Sequence, residues 1–149
     1  MRAATFAKVQ VTLVSGSNLI ALDHGGVSDP FVKLVSSAGP HASKYRTRTI
    51  NRTTDPEWNE TFEYEGTMRS LRHTALTLHV YDEDKLTLDD WMGAAELDLR
   101  TVVDSAAFQR EGGAPLSLPL NTQGALWVKV PTRPDPTRLE PVRPPARHT

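Results

Sequence analysis

Apolar residues in this chain alternate with polar ones and do not recur every third or fourth position. KVQVTLV places Val9, Val11 and Leu13 on one face, and ALTLHVY does the same with Leu76, Leu78 and Val80. A period of two belongs to a strand with one side buried. The same pattern predicts strands in DPFVKLV, KYRTRTI, ETFEYE, MGAAELDL, PLSLPL and GALWVKV. Between them lie SGSN, HGG, SAGP, TTDPE and EGGAP, rich in the residues that turn a chain. Eight short strands at this spacing predict an all-β fold, an eight-stranded antiparallel β-sandwich. TVVDSAAFQ is the single short helix expected.

After Val130 the pattern stops. PTRPDPTRLEPVRPPARHT carries proline and arginine and too few apolar residues to pack. The expected organisation is therefore one folded domain over residues 1–130 and a disordered or extended tail over residues 131–149. Within the tail, RLEPVRP matches the basic-x-x-Pro-x-x-Pro spacing that SH3 grooves accept. An SH3-type partner is one expectation for it, and a plain solvated tail is the other.

Composition narrows the function classes. A formal net charge of −1 over 149 residues gives no blanket attraction to nucleic acid, and no nucleic-acid partner is expected. The absence of cysteine removes disulfides, thiolate zinc sites and a cysteine nucleophile, and fits a cytoplasmic setting. Lys8, Gln10 and Thr12 interrupt any apolar core of a signal peptide near the N-terminus. No run approaches the ~20 apolar residues of a membrane span, so membrane contact is expected from the surface alone. The histidines have no ligand spacing and no serine or cysteine beside them, and no acid–base pair stands out. The protein is not expected to be an enzyme.

The chemistry concentrates in YDEDKLTLDDW, residues 81–91. Two carboxylates about 4 Å apart repel by roughly 4 kcal/mol at the effective dielectric of a protein surface. Asp82 and Asp84 are two apart on an extended segment and point the same way, which lets them close on one hard cation. Asp89 and Asp90 return after the LTL excursion, and Asp23 and Asp29 flank a turn built on Gly25 and Gly26. An all-oxygen donor set on loops favours calcium, with its six to eight irregular ligands, over octahedral magnesium. Taken singly, either cluster is more often a set of turn aspartates than a site. An EF-hand does not fit, because Leu86 occupies its third ligand position and no glycine follows. A magnesium phosphotransferase lacks its parallel α/β scaffold.

Three stretches in order, SGSNLIALDHGGVSDPFVKL, KYRTRTINRTTDPEWNETFEY and LTLHVYDEDKLTLDDWMG, resemble a C2 domain, the calcium- and phospholipid-binding sandwich of protein kinase C and synaptotagmin. The resemblance runs from about Lys8 to Val130. It implies five calcium ligands, Asp23, Asp29, Asp82, Asp84 and Asp90, with the backbone carbonyls of Leu22 and Glu83 as further ones, and leaves Asp89 outside the set. A chain that begins at KVQVTLV and closes with GALWVKV also resembles the permuted, type II form of the family.

The function this implies is calcium-dependent binding to anionic phospholipid membranes by a cytoplasmic, monomeric, peripheral targeting module. Phosphatidylserine and phosphoinositides are the expected lipids, and Ca2+ the expected cofactor. Val27, Leu86 and Leu88 sit at the loop tips and are expected to insert, with Leu88 folded back on the sandwich as the alternative. Lys33, Lys44, Arg46 and Arg48 form a basic strand face, with Phe31 and Tyr81 at positions the family uses for phosphoinositides; a solvated face that blunts a strand is the competing reading. Trp91 is expected to start a strand and pack, Trp58, Asn59 and Pro56 to be structural, and His24 to be a solvated turn residue. The alternative function is a C2-like adaptor that binds proteins through the basic strand or the tail, with calcium only structural.

Overall fold

In the computed structural model, the described residues are 5–23, 25–37, 44–103, 115–130 and 133–139. They form strands β1 (Thr5–Ser17), β2 (Pro30–Ser36), β3 (Lys44–Arg46), β4 (Glu57–Thr67), β5 (Ala75–Asp82), β6 (Asp90–Asp98), β7 (Pro115–Pro119), β8 (Ala125–Lys129) and β9 (Arg133–Leu139). Two short helices, α1 (Met68–Leu71) and α2 (Leu99–Val103), complete them. One sheet has the order β4-β1-β8-β7, and the other β3-β2-β5-β6. All pairings are antiparallel.

The alternation in the sequence decides which side each strand buries. Val9, Val11 and Leu13 from β1 meet Val32, Leu34, Leu76, Leu78 and Val80 across the sandwich, all with no more than a trace of exposure. Leu126 and Val128 from β8 and Trp58 from β4 close the same core. The Trp58 indole N–H donates to the Arg48 carbonyl at 3.1 Å, which satisfies its one polar atom at the core margin. Pro56 is buried and its carbonyl accepts the Gly16 N–H, so both residues have the structural role expected of them. On the outer side, Glu57, Asn59, Thr61, Glu63 and Glu65 line the edge strand β4 with exposed polar groups.

Two departures from the sequence reading have local causes. KYRTRTI is strand only over Lys44–Arg46, because the next residue, Thr47, turns its hydroxyl inward to accept the Val32 N–H at 2.9 Å. Trp91, expected to start a strand and pack, is the second residue of β6 and is 48% exposed. The register slips between Val80 and Tyr81, so that Tyr81 faces Trp91 while Val80 faces Gly93. This bulge puts Trp91 on the outer face with Tyr81 and sends Met92 into the core instead. In the stretch expected to be disordered or extended, the backbone of Arg133–Leu139 is extended and pairs with Thr5–Lys8 of β1. The helix expected in TVVDSAAFQ begins earlier, at Leu99, and residues 104–109 of that stretch lie outside the described residues.

Candidate metal and membrane site

Three connections meet at one end of the sandwich: β1–β2, β3–β4 and β5–β6. Their meeting is held by backbone groups. The Asp29 carbonyl accepts the Glu83 N–H at 2.9 Å. The Asp29 N–H donates to an Asp82 carboxylate oxygen at 2.8 Å. The Asp29 carboxylate in turn accepts the N–H of Arg52 at 2.6 Å. Within the first loop, Ser28 is buried and its hydroxyl accepts the Leu22 N–H at 2.9 Å while donating to the Ile20 carbonyl at 2.8 Å.

Asp23, Asp29 and Asp82 each bring a carboxylate oxygen within 4.8 Å of the others. Asp82 is 2% exposed. Its pKa is pushed up to about 6, first by burial and then by the neighbouring Asp23 and Asp29 charges, against the opposing pull of the Asp29 N–H. Carboxylates so placed repel one another, and the buried Asp82 is also poorly solvated, an arrangement that a bound cation relieves. The donors are all oxygens on loops, which suits calcium.

The other two expected aspartates lie outside this cluster. The Asp84 carboxylate turns to its own loop, where it accepts the Leu86 N–H at 2.8 Å, the Thr87 hydroxyl at 2.8 Å and the Thr87 N–H at 3.2 Å. Those donors hold its pKa below the usual carboxylate range, so it stays ionised. Asp90 is exposed at the start of β6, directly opposite Asp82 in the register. Asp89, left out of the ligand set by the sequence reading, accepts the Asp84 N–H at 2.8 Å and so shapes the loop.

The sequence reading did not single out the β3–β4 connection. Asn51 and Arg52 line the acidic cup beside Asp23, Asp29, Glu83 and Asp84, a hollow of about 490 Å³. Arg52 takes the left-handed backbone conformation, φ 57°, that points its N–H at Asp29. The signal was the length of the connection between the two strands, which lets it reach the other two loops.

Leu86 is 94% and Leu88 89% exposed, so neither folds back on the sandwich. Val27 differs from its expected place at a free tip: it is half-buried and bridges to Asp23, whose N–H donates to its carbonyl at 2.8 Å. Leu22 is exposed in the same loop. His24 lies outside the described residues.

On the outer face of the second sheet, Phe31 and Tyr81 stack at 5.5 Å between ring centroids. Lys33 Nζ lies 5.1 Å from the Tyr81 centroid, and the Arg46 guanidinium lies 3.7 Å from that of Phe31. Phe31, expected as a contact residue, is fully covered, with Tyr81 and Arg46 against its ring. Arg46 pairs with Glu83 at 3.0 Å. Arg48 does not join this face; it pairs with Glu60 of β4 at 3.3 Å, drawn off because the strand ends at Arg46. Lys44 is exposed at the start of β3.

The family model for the C2 domain matches residues 7–112. The chain belongs to the C2 domain family. Among solved structures it resembles the first of the C2 domains of plant Extended Synaptotagmin 1, at 25% identity and a TM-score of 0.68, over 91% of this chain and 98% of that one. It also resembles human GIVD cytosolic phospholipase A2, at 25% identity and a TM-score of 0.72, over 93% of this C2 domain but 19% of the phospholipase. Extended-Synaptotagmin 2, in a form that joins an SMP domain to two C2 domains, matches over 91% of this chain and 28% of that one, with a TM-score of 0.67 and 17% identity, a likeness of fold alone. Because the phospholipase likeness spans so little of that enzyme, it carries no activity over to this C2 domain. Among the described residues, no helix is long and apolar enough to cross a membrane.

Proposed function

We propose that this C2 domain is a calcium-dependent peripheral membrane-targeting module for anionic phospholipids, with no catalysis of its own. The observation that carries the reading is the convergence of Asp23, Asp29 and Asp82, with the buried Asp82 pushed up in pKa, at the end of the molecule where Leu86 and Leu88 stand exposed. Asp23, Asp29 and Asp82 would hold the ion, and Asp84 and Asp90 extend the donor set from the same loop. When bound, calcium supplies positive charge and open coordination positions for phosphate or carboxylate oxygens.

The chain's own residues do the rest. With the carboxylates unpaired, the cup repels an anionic surface, and neutralising it removes that barrier. Leu86 and Leu88 then add an apolar contribution; burying one leucine fully gives roughly 1.5–3 kcal/mol, and shallow insertion a part of it. The Lys33–Arg46 face supplies a second, calcium-independent attraction to anionic headgroups of about 1 kcal/mol per basic group. By linkage, lipid tightens calcium binding by the factor by which calcium tightens lipid binding. In this reading the protein is cytoplasmic and reaches the membrane when calcium rises.

Co-sedimentation with phosphatidylserine-containing vesicles, in calcium and in chelator, tests this. Binding that requires both calcium and the Asp82 and Asp84 carboxylates, lost in an Asp82→Asn, Asp84→Asn variant, is the expected result. Equal binding in chelator would overturn the calcium requirement and leave the basic face as the membrane contact.

A further inference from the structure

Two cations lie side by side on two stacked rings: Lys33 over Tyr81 and Arg46 over Phe31, with Lys33 and Arg46 directly opposite in the β2–β3 register. Such a platform is built to receive an anion, yet one edge of it already holds one. An Arg46 Nη donates to the Glu83 carboxylate at 3.0 Å, and the Thr49 hydroxyl donates to the same oxygen. Glu83 sits between Asp82 and Asp84, and its backbone N–H is tied to the Asp29 carbonyl. Its backbone is therefore anchored at the wall of the cup while its carboxylate is engaged by Arg46 and Thr49 of the basic face.

We propose that Glu83 is a specificity-determining residue: its carboxylate is an internal competitor for the Arg46–Lys33 face, and reserves that face for phosphomonoester groups. The proposal rests on the anionic-lipid reading above and deepens it by naming the ligand chemistry and the residue that selects it. A tethered carboxylate competes at high effective concentration against any incoming group of equal charge. Phosphodiester and carboxylate headgroups carry one negative charge and gain nothing by displacing it. A phosphomonoester carries about −1.5 to −2 charges and three acceptor oxygens, which a guanidinium can take in two parallel bonds. The Arg46–Glu83 pair is itself part-exposed, with side chains 48% and 26% accessible, and so opens at small cost.

The test uses the whole chain in chelator, with phosphatidylcholine vesicles carrying either phosphatidylinositol bisphosphate or a matched charge of phosphatidylserine. Glu83→Gln is compared with Glu96→Gln, which removes one charge from an exposed position on the same sheet, opposite Thr77 and away from Arg46. Wild type is expected to prefer the bisphosphate. Glu83→Gln should raise phosphatidylserine binding about fivefold, the effect of one unit of charge near such a surface, and so narrow the preference. Glu96→Gln should change it much less, and the gain should vanish in an Arg46→Gln background. A Glu83→Gln effect no larger than that of Glu96→Gln, a loss of binding in Glu83→Gln, or no binding by any variant would overturn the proposal.

The phosphomonoester could come from a lipid or from solution. Calorimetry with soluble inositol trisphosphate separates them: binding that rises in Glu83→Gln assigns the free phosphate as well, binding to vesicles alone assigns the lipid, and both uphold the role of Glu83. Failure of calcium-driven phosphatidylserine binding would sink the calcium cage and leave this result in chelator standing.

Discussion

The backbone N–H of Asp29 donates to the carboxylate of Asp82 across 2.8 Å, and that bond ties the first loop to the end of β5. Asp82 is thus a structural acceptor and, at the same time, the buried member of the acidic cluster. The two roles pull in opposite directions. The N–H favours the ionised carboxylate, while burial and the Asp23 and Asp29 charges disfavour it more strongly, leaving the pKa at about 6. The metal-free fold therefore carries a cost at neutral pH that is localised at one residue.

Asp82→Asn should accordingly stabilise the calcium-free protein. The amide oxygen still accepts the Asp29 N–H, while the buried charge is gone, and a gain of roughly 1–2 kcal/mol is expected, within the limit set by a two-unit pKa shift. Urea denaturation in chelator reads this directly. The same variant should show no rise in stability on adding calcium, whereas wild type should.

The pH dependence has a definite sign. Asp82 is raised from 3.8 to about 6 in the folded state, so the folded protein binds more protons than the unfolded one between those values. The penalty is complete above about pH 6 and disappears as the pH falls towards 4. In chelator, the stability gap between Asp82→Asn and wild type should stay level from about pH 7.5 to a little above pH 6 and then narrow towards about pH 4. A gap that is constant or widens over that range would show that the charge on Asp82 is not the source of the cost.

Much of this was legible in the chain, for a physical reason. Strand alternation is a local property, and it identified the core faces of β1 and β5 from Val9, Val11, Leu13, Leu76, Leu78 and Val80. The acidic cluster was legible because strand ends and turns fix where Asp23, Asp29 and Asp82 emerge. What pattern could not reach depends on side-chain rotation and on single bulges. The turn of Asp84 onto Leu86 and Thr87, the capture of Arg48 by Glu60 and the covering of Phe31 by Arg46 each depend on a choice among rotamers. The outward Trp91 depends on one register slip, which no two-residue period foretells.

Asp89 offers a test of the loop as distinct from its ligands. Its carboxylate accepts the Asp84 N–H at 2.8 Å, and Asp84 in turn holds Leu86 and Thr87. Removing that acceptor should loosen the connection between β5 and β6 without deleting a carboxylate of the three-aspartate cluster. Asp89→Ala is expected to weaken calcium binding several-fold by calorimetry at unchanged stoichiometry, and Asp89→Asn, which keeps an acceptor oxygen, to weaken it less. A change in stoichiometry would instead make Asp89 a ligand.

The exposed leucines separate membrane insertion from ion capture. Leu86 and Leu88 are 94% and 89% exposed, so neither contributes to the packing of the fold. A Leu86→Ala, Leu88→Ala variant should unfold at the same temperature as wild type and bind calcium in solution with the same affinity. On phosphatidylserine vesicles in calcium it should lose about tenfold in affinity, since partial burial of two leucines contributes on the order of 1–2 kcal/mol. The loss should survive high salt, because it comes from apolar area and not from charge, whereas the contribution of Lys33 and Arg46 is screened. An unchanged vesicle affinity would mean that both leucines stay in water and that the cup meets the headgroups by electrostatics alone.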